Sequence, residues 1–173
     1  MAEFKKSKKL GDYVEERVLE RIQKKYPKAF IDDRGKKFSD WDIYIPEISE
    51  GIEVKSDYKS KITGNVIIEV EMKGKLSALS VTKAKYWIIT EGYRLIWITP
   101  LEIYRFLEIN QYERSGFVGN GDTSFKYAYK VIVEDLIKYV YTLDKKNGFV
   151  EMLNKNSELY YDNIVNRFNI TYD

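Results

Sequence analysis

The chain has no cysteine and no histidine among its 173 residues. Their absence removes thiol nucleophiles, zinc sites built from thiolate or imidazole, and any triad or general base that needs an imidazole ring. Acid, lysine and tyrosine chemistry remain. No apolar run approaches the roughly 20 residues that cross a bilayer, and no signal-peptide pattern is present, so a cytoplasmic protein with no membrane contact is expected. Internal repeats and low-complexity linkers are also missing, and Gly119-Asn-Gly lacks the strand-to-helix context of a phosphate-cradling loop, so no nucleotide cofactor is expected. Charge of one sign is scarce overall: 29 Lys and Arg face 27 Asp and Glu, for a net +2. The balance is uneven, however, since residues 1–40 hold twelve of the basic residues against eight acids. A basic N-terminal face of this kind suits phosphate contacts.

What is present centres on Asp40-Trp-Asp-Ile-Tyr-Ile-Pro46 and, after a short loop, Gly51-Ile-Glu-Val-Lys-Ser56. Side chains alternate along a strand, so Glu53 and Lys55 project together while Ile52 and Val54 point into a core. The same alternation puts Asp40, Asp42 and Tyr44 on one face and Trp41, Ile43 and Ile45 on the other. If the two strands are neighbours, the carboxylates of Asp42 and Glu53 meet beside the Lys55 ammonium. Magnesium is a hard cation typically held by one or two carboxylates plus substrate phosphate oxygens, and Asp42, Glu53 and the Val54 carbonyl are the donors for it. Lys55 would orient an attacking water and offset charge building on phosphorus.

Leu10, Val14, Val18, Leu19, Ile22 and Tyr26 recur at helical spacing, which predicts an amphipathic helix over residues 10–26. Glu15 falls inside its apolar stripe, whereas Glu16, Glu20 and Lys24 lie on the wet side. A carboxylate aimed at a core is costly unless it meets a cation, a metal or a donor. Glu15 is therefore a fourth site candidate.

The order Gly11-x-x-x-Glu15, Asp42, Glu53-x-Lys55 resembles the PD-(D/E)XK nuclease superfamily, which includes archaeal Holliday junction resolvases, many restriction enzymes and phage nucleases. The first-helix glutamate is especially like the resolvases, and Trp41 stands where the proline of the family name would be. The resemblance implies an α/β restriction-endonuclease-like core, a central mixed sheet of about four or five strands flanked by helices. It implies a Mg²⁺-dependent nuclease, with Mn²⁺ able to substitute, that hydrolyses DNA as a homodimeric endonuclease acting on branched or junction substrates. Catalysis would fall on Lys55, Glu53, Asp42 and Glu15, and metal binding on Asp42, Glu53, Val54 and Glu15. The segments Thr63-Gly-Asn-Val-Ile-Ile-Glu-Val-Glu71 and Thr82-Lys-Ala-Lys-Tyr-Trp-Ile88 are similar to phage-type members, where a third strand and a short helix complete the sheet. On that strand Glu69 and Glu71, read as sharing a face, are secondary candidates. Arg34, Lys36, Lys37 and Lys83 are candidate nucleic-acid contacts.

The rest of the chain reads as support. Residues 86–89 and 95–99 predict two strands around Glu91-Gly92. Thr99-Pro-Leu-Glu102 predicts a capped helix with proline at its first position. Gly116–Thr123 reads as a loop in which Asp122 is a turn residue, and alternating Phe125, Tyr127, Tyr129 and Val131 suit an outer strand. Residues 1–143 form the expected nuclease-like domain. Residues 144–173, where Tyr161, Ile164, Val165 and Phe168 take helical spacing, are expected to form a helical extension on the core or at a dimer contact. Two readings without catalysis stay open: a module binding nucleic acid or protein on a nuclease scaffold, and an assembly subunit in which the four candidates need not meet.

Overall fold

The computed structural model describes residues 2–33, 40–118 and 124–170. Helix α1 (Ala2–Gln23) starts earlier than the apolar spacing predicts and buries Val14, Val18 and Ile22 on one stripe. After it come β1 (Phe30–Ile31), β2 (Ile43–Ile45) and β3 (Glu50–Ser56). A short helix α2 (Ser60–Thr63) leads to β4 (Asn65–Met72), β5 (Lys75–Leu76) and a 3₁₀ turn at Ala78–Ser80. Then follow β6 (Tyr86–Thr90), β7 (Arg94–Ile98), α3 (Pro100–Ile109), β8 (Ser115–Val118), β9 (Phe125–Ile132), α4 (Val133–Val140), β10 (Gly148–Met152) and α5 (Tyr161–Phe168).

The architecture is α/β with two sheets. The first has six strands in the order β1-β2-β3-β6-β7-β10, more than the four or five expected, and is mixed because β3 and β6 run parallel while the other pairs are antiparallel. The second has four strands, β5-β4-β9-β8, all antiparallel. Two corrections follow. The third strand of the sequence reading, β4, is present but does not complete the first sheet; it founds the second. The alternating Phe125–Val131 run is not an outer strand, because β9 lies between β4 and β8.

Each face of the first sheet has its own core. Ile43, Ile45, Ile52, Val54, Ile88 and Leu95 pack under α1 and α5 with Val14, Val18 and Ile164. On the other face Trp87, Ile89, Ile96 and Ile98 meet Val66, Ile68 and Val131 of the second sheet, together with Ile103 and Phe106 of α3 and Leu136 of α4. The α3 start is as the sequence predicts: the Thr99 side chain accepts the Glu102 N–H, and Pro100 takes the first turn, where its missing N–H costs nothing. The segment read as a helical extension also supplies a strand, since β10 pairs with β7, and α5 buries Tyr161 and Ile164. Among the described residues, no helix is long and apolar enough to cross a membrane.

One contact fixes β2 against β3. The Trp41 indole lies over Gly51, stacks on Tyr44 with ring centroids 5.2 Å apart, and donates its Nε1–H to Asp32 Oδ2 at 2.8 Å. Tyr44 and Gly51 are cross-strand partners, so Trp41 sits on the Tyr44 face and not with Ile43 and Ile45. The chain is not yet a strand at residues 40–42, and period-two alternation does not reach back to Trp41. A Cβ on Gly51 would fall 2.5 Å from Trp41 Cγ. Gly51→Ala is therefore expected to lower stability by about 1–3 kcal/mol through overpacking, measured by urea unfolding. The same substitution in a Trp41→Ala background should cost close to nothing, and an equal cost in both backgrounds would show that the indole is not the cause.

Candidate functional site

The site is assembled from β2, β3 and α1. Ile43 pairs with Ile52 and Tyr44 with Gly51, and Asp42, just ahead of β2, lies beside Ile52 with its side chain reaching along β3. The main chain of Asp42 is held on both sides: its N–H donates to the Ile52 carbonyl and its carbonyl accepts from Asp32 N–H, each at 2.9 Å. Its carboxylate turns across to β3 and accepts the Val54 N–H at 2.7 Å. Glu53 is almost fully buried, and its Oε1 lies 2.5 Å from Lys55 Nζ. Lys55 is half-buried, with its ammonium 5.4 Å from the centroid of the Trp87 ring on β6. Trp87 is the cross-strand partner of Glu53, so Lys55 folds back toward the acid two residues before it.

Electrostatics tie Glu15 to this group. Burial pushes its pKa up to about 8, the charges of Asp42, Asp12 and Glu53 push the same way, and Lys55 opposes them. Asp42 is also raised by burial, against the pull of Lys55 and the bond from Val54 N–H. Glu53 is raised by burial against Lys55, with Asp42 adding to the shift. For Lys55 burial works against the charge, but Glu53 and Asp42 outweigh it and the ammonium is held above its ordinary value. One cation thus faces three acids, and at neutral pH the proton that relieves the repulsion resides on Glu15. Among the described residues no three acidic side chains converge closely enough to hold a metal ion together. Glu15 stands as a third acid within electrostatic reach of Asp42 and Glu53.

The secondary candidates divide. A bulge shifts the register between Glu69, opposite Ala128, and Glu71, opposite Tyr127. Ala128 and Tyr127 are consecutive, so the two glutamates do not share a face, contrary to the sequence reading. Glu69 accepts from Ser77 Oγ at 2.6 Å, lies 3.3 Å from Lys126 Nζ, and adds to the field that raises Lys55. Glu71 reaches Arg114 at 3.7 Å. Lys83 is exposed and lies 3.4 Å from Asp40, beside the loop that leads into Asp42. Arg34, Lys36, Lys37 and Asp122 lie outside the described residues.

Three residues at the site escaped the sequence reading. Trp41 and Asp32 lock the entry to β2, and Trp87 backs the ammonium. A tryptophan between two aspartates and a glycine at the start of β3 were the visible signs, but their contact spans ten residues of chain and cannot be read from spacing. Asp57, just past β3, is a half-buried acid raised to about 6 by burial while the N–H groups of Lys59, Ile67 and Ser60 hold it in place. It shapes the turn into α2.

No protein-family model, curated protein or solved structure matches the chain.

The raised Glu15 has a stability consequence whose sign is fixed. The folded state binds its proton up to about pH 8, whereas the unfolded chain releases it near pH 4.3. Between these values the folded state carries the extra proton, so this group's contribution to stability is full below about pH 4.3 and falls as pH rises toward 8. Glu15→Gln is expected to flatten that decline and raise the thermal midpoint at pH 8 by roughly 2–4 °C for each kcal/mol recovered. Parallel pH profiles of Tm for wild type and variant would contradict the placement of Glu15.

Proposed function

We propose that this protein is a metal-dependent nuclease that hydrolyses phosphodiester bonds in DNA, built on the core of the PD-(D/E)XK superfamily. The observation that carries the reading is the meeting of three side chains at β3: the Asp42 carboxylate accepts the Val54 N–H while Glu53 Oε1 lies 2.5 Å from Lys55 Nζ on the same strand and face. The parallel placement of β6 beside β3 is in keeping with that core.

The donor set fits a magnesium or manganese ion. Asp42 and Glu53 are two buried carboxylates of raised pKa with a single ammonium beside them, and such a pair gains from a hard dication. Asp42, Glu53 and the Val54 carbonyl would hold it. When bound, the ion supplies Lewis acidity toward the phosphoryl oxygen and lowers the pKa of a coordinated water.

The chain's own residues do the rest. Lys55 keeps its charge because Glu53 and Asp42 hold the pKa of its ammonium high. That charge orients the water and stabilises the negative charge that gathers on the phosphoryl oxygens in the transition state, where a fixed cation is worth more than in bulk water. Glu15, protonated at neutral pH, presents an O–H donor to the edge of the site. The Asp42 carboxylate is aimed by the Val54 N–H and needs no reorganisation before substrate arrives. DNA, endonucleolytic cutting, branched or junction substrates and action as a homodimer belong to this same proposal, through the resolvase-like first helix.

The test is cleavage of supercoiled plasmid, linear duplex, single strand and a four-way junction in Mg²⁺ or Mn²⁺, with Lys55→Ala as the comparison. Wild type is expected to cut, and the variant to lose at least 100-fold in rate, as for removal of one transition-state donor. No cutting of any substrate by folded wild type in either metal would overturn the nuclease reading and favour a binding module on the same scaffold.

A further inference from the structure

The end of the first sheet where β3 and β6 finish carries a second group of charges that the site does not use. At the start of α5, Lys61 Nζ donates to the Tyr93 hydroxyl at 2.6 Å and lies 4.8 Å from the centroid of Tyr161. At its end, the Arg167 guanidinium lies 4.4 Å from the centroid of Tyr13 on α1, which packs edge-on against Phe168 at 5.3 Å. Lys6 of α1 closes the run by donating to the Asn169 carbonyl. Both Lys61 and Arg167 are exposed.

These cations differ in kind from most other arginines of the fold. Arg17 is committed to Glu20 and Glu158, at 2.9 and 3.0 Å, and Arg94 to Glu91 and Glu134. Among the described residues no carboxylate lies within ion-pair distance of Lys61 or Arg167. Their close partners are aromatic rings, which hold a cation without neutralising it, and the one acid that acts on Lys61 is Asp162, which does so from beyond ion-pair distance. Glu158, the acid next to Tyr13, is occupied by Arg17. The result is a ridge along α5 with a fixed positive charge at each end. Six residues of helix separate Tyr161 from Arg167, roughly 9 Å of axis, which spans two to three nucleotides at about 3.4 Å each.

We infer that this ridge binds the phosphodiester backbone of nucleic acid, with Lys61 and Arg167 as its two phosphate contacts. The inference rests on the nuclease reading for its choice of polyanion. Chain connectivity joins the ridge to the site at both ends, since Lys61 follows Lys55 by six residues and Tyr13 precedes Glu15 by two.

The experiment is fluorescence anisotropy with a fluorescein-labelled single strand and the matching duplex, in EDTA so that nothing is cut, from 20 to 200 mM salt. The Lys61→Ala/Arg167→Ala double variant is expected to bind at least 10-fold more weakly at low salt. Its log–log salt slope should flatten by about 1.4 on single strand or about 1.8 on duplex, the value for two lost phosphate contacts. The arm that shows the loss names the form of nucleic acid the ridge takes. Lys61→Arg/Arg167→Lys, which keeps both charges, should restore the slope, and circular dichroism establishes that each variant is folded. Unchanged affinity and slope in the folded double alanine variant overturn the inference, as does wild type that binds neither strand at 20 mM salt. Cleavage separates the two readings: wild type that cuts DNA while the double variant binds normally leaves the nuclease and removes the ridge. Wild type that binds through the ridge and never cuts does the reverse.

Discussion

Asp42 is the residue on which the site depends, because it is tied by main chain and side chain at once. Its N–H and carbonyl bond to Ile52 and Asp32, and its carboxylate takes the Val54 N–H. β2 is only three residues long and would not by itself hold a carboxylate in register against β3. The Trp41 indole completes the restraint by filling the space that Gly51 leaves open and anchoring to the buried Asp32. A carboxylate held this way is aimed before any ligand arrives. Pre-aimed groups are the ones that stabilise developing charge without reorganisation.

That arrangement has a cost, which explains the remaining contacts. Asp42, Glu53 and Glu15 gather three acids around one ammonium, and burial raises all three. An uncompensated buried charge is worth several kcal/mol of destabilisation, so the fold answers with a proton on Glu15, a backbone donor on Asp42 and the Lys55 ammonium on Glu53. None of these neutralises the cluster fully. Surplus negative potential of this kind would favour a cation, and this links the acids to the proposed chemistry more directly than the presence of any single residue.

How much of this the sequence disclosed depends on the range of the interaction. Alternation within β3 correctly separated Glu53 and Lys55 from Ile52 and Val54, because face assignment inside one strand is local. Apolar spacing placed Glu15 in the buried stripe of α1 for the same reason, and the Thr99-Pro100-Glu102 signature located the start of α3. The failures are all non-local. Nothing in β4 says which sheet it joins, so a strand expected beside β3 founds a second sheet. The bulge that parts Glu69 from Glu71 is set by pairing with β9, which lies more than fifty residues away. β10 escaped because Asn147-Gly148 reads as a turn and the four strand residues after it are too few to show a pattern. Trp41 was assigned to the wrong face because alternation was extended past the point where the strand begins.

The two-sheet arrangement also bears on how Lys55 can act. Trp87 and Ile89 of β6 face the second sheet beside Glu53 and Lys55. The lysine therefore leaves the strand along an aromatic wall, with its side chain 40 % exposed. A long aliphatic side chain in that setting can keep its methylenes packed and still turn its charge outward. The 2.5 Å pair with Glu53 is then a resting position: it keeps the ammonium charged and close to the acids. In the proposed reaction the charge would need to move only a short way over the Trp87 ring to meet a phosphate. An arginine would fill the same length, but its planar fork favours two-point binding to Glu53. A single ammonium suits the proposed role, in which the group would hold an acid at rest and a phosphoryl oxygen in the transition state.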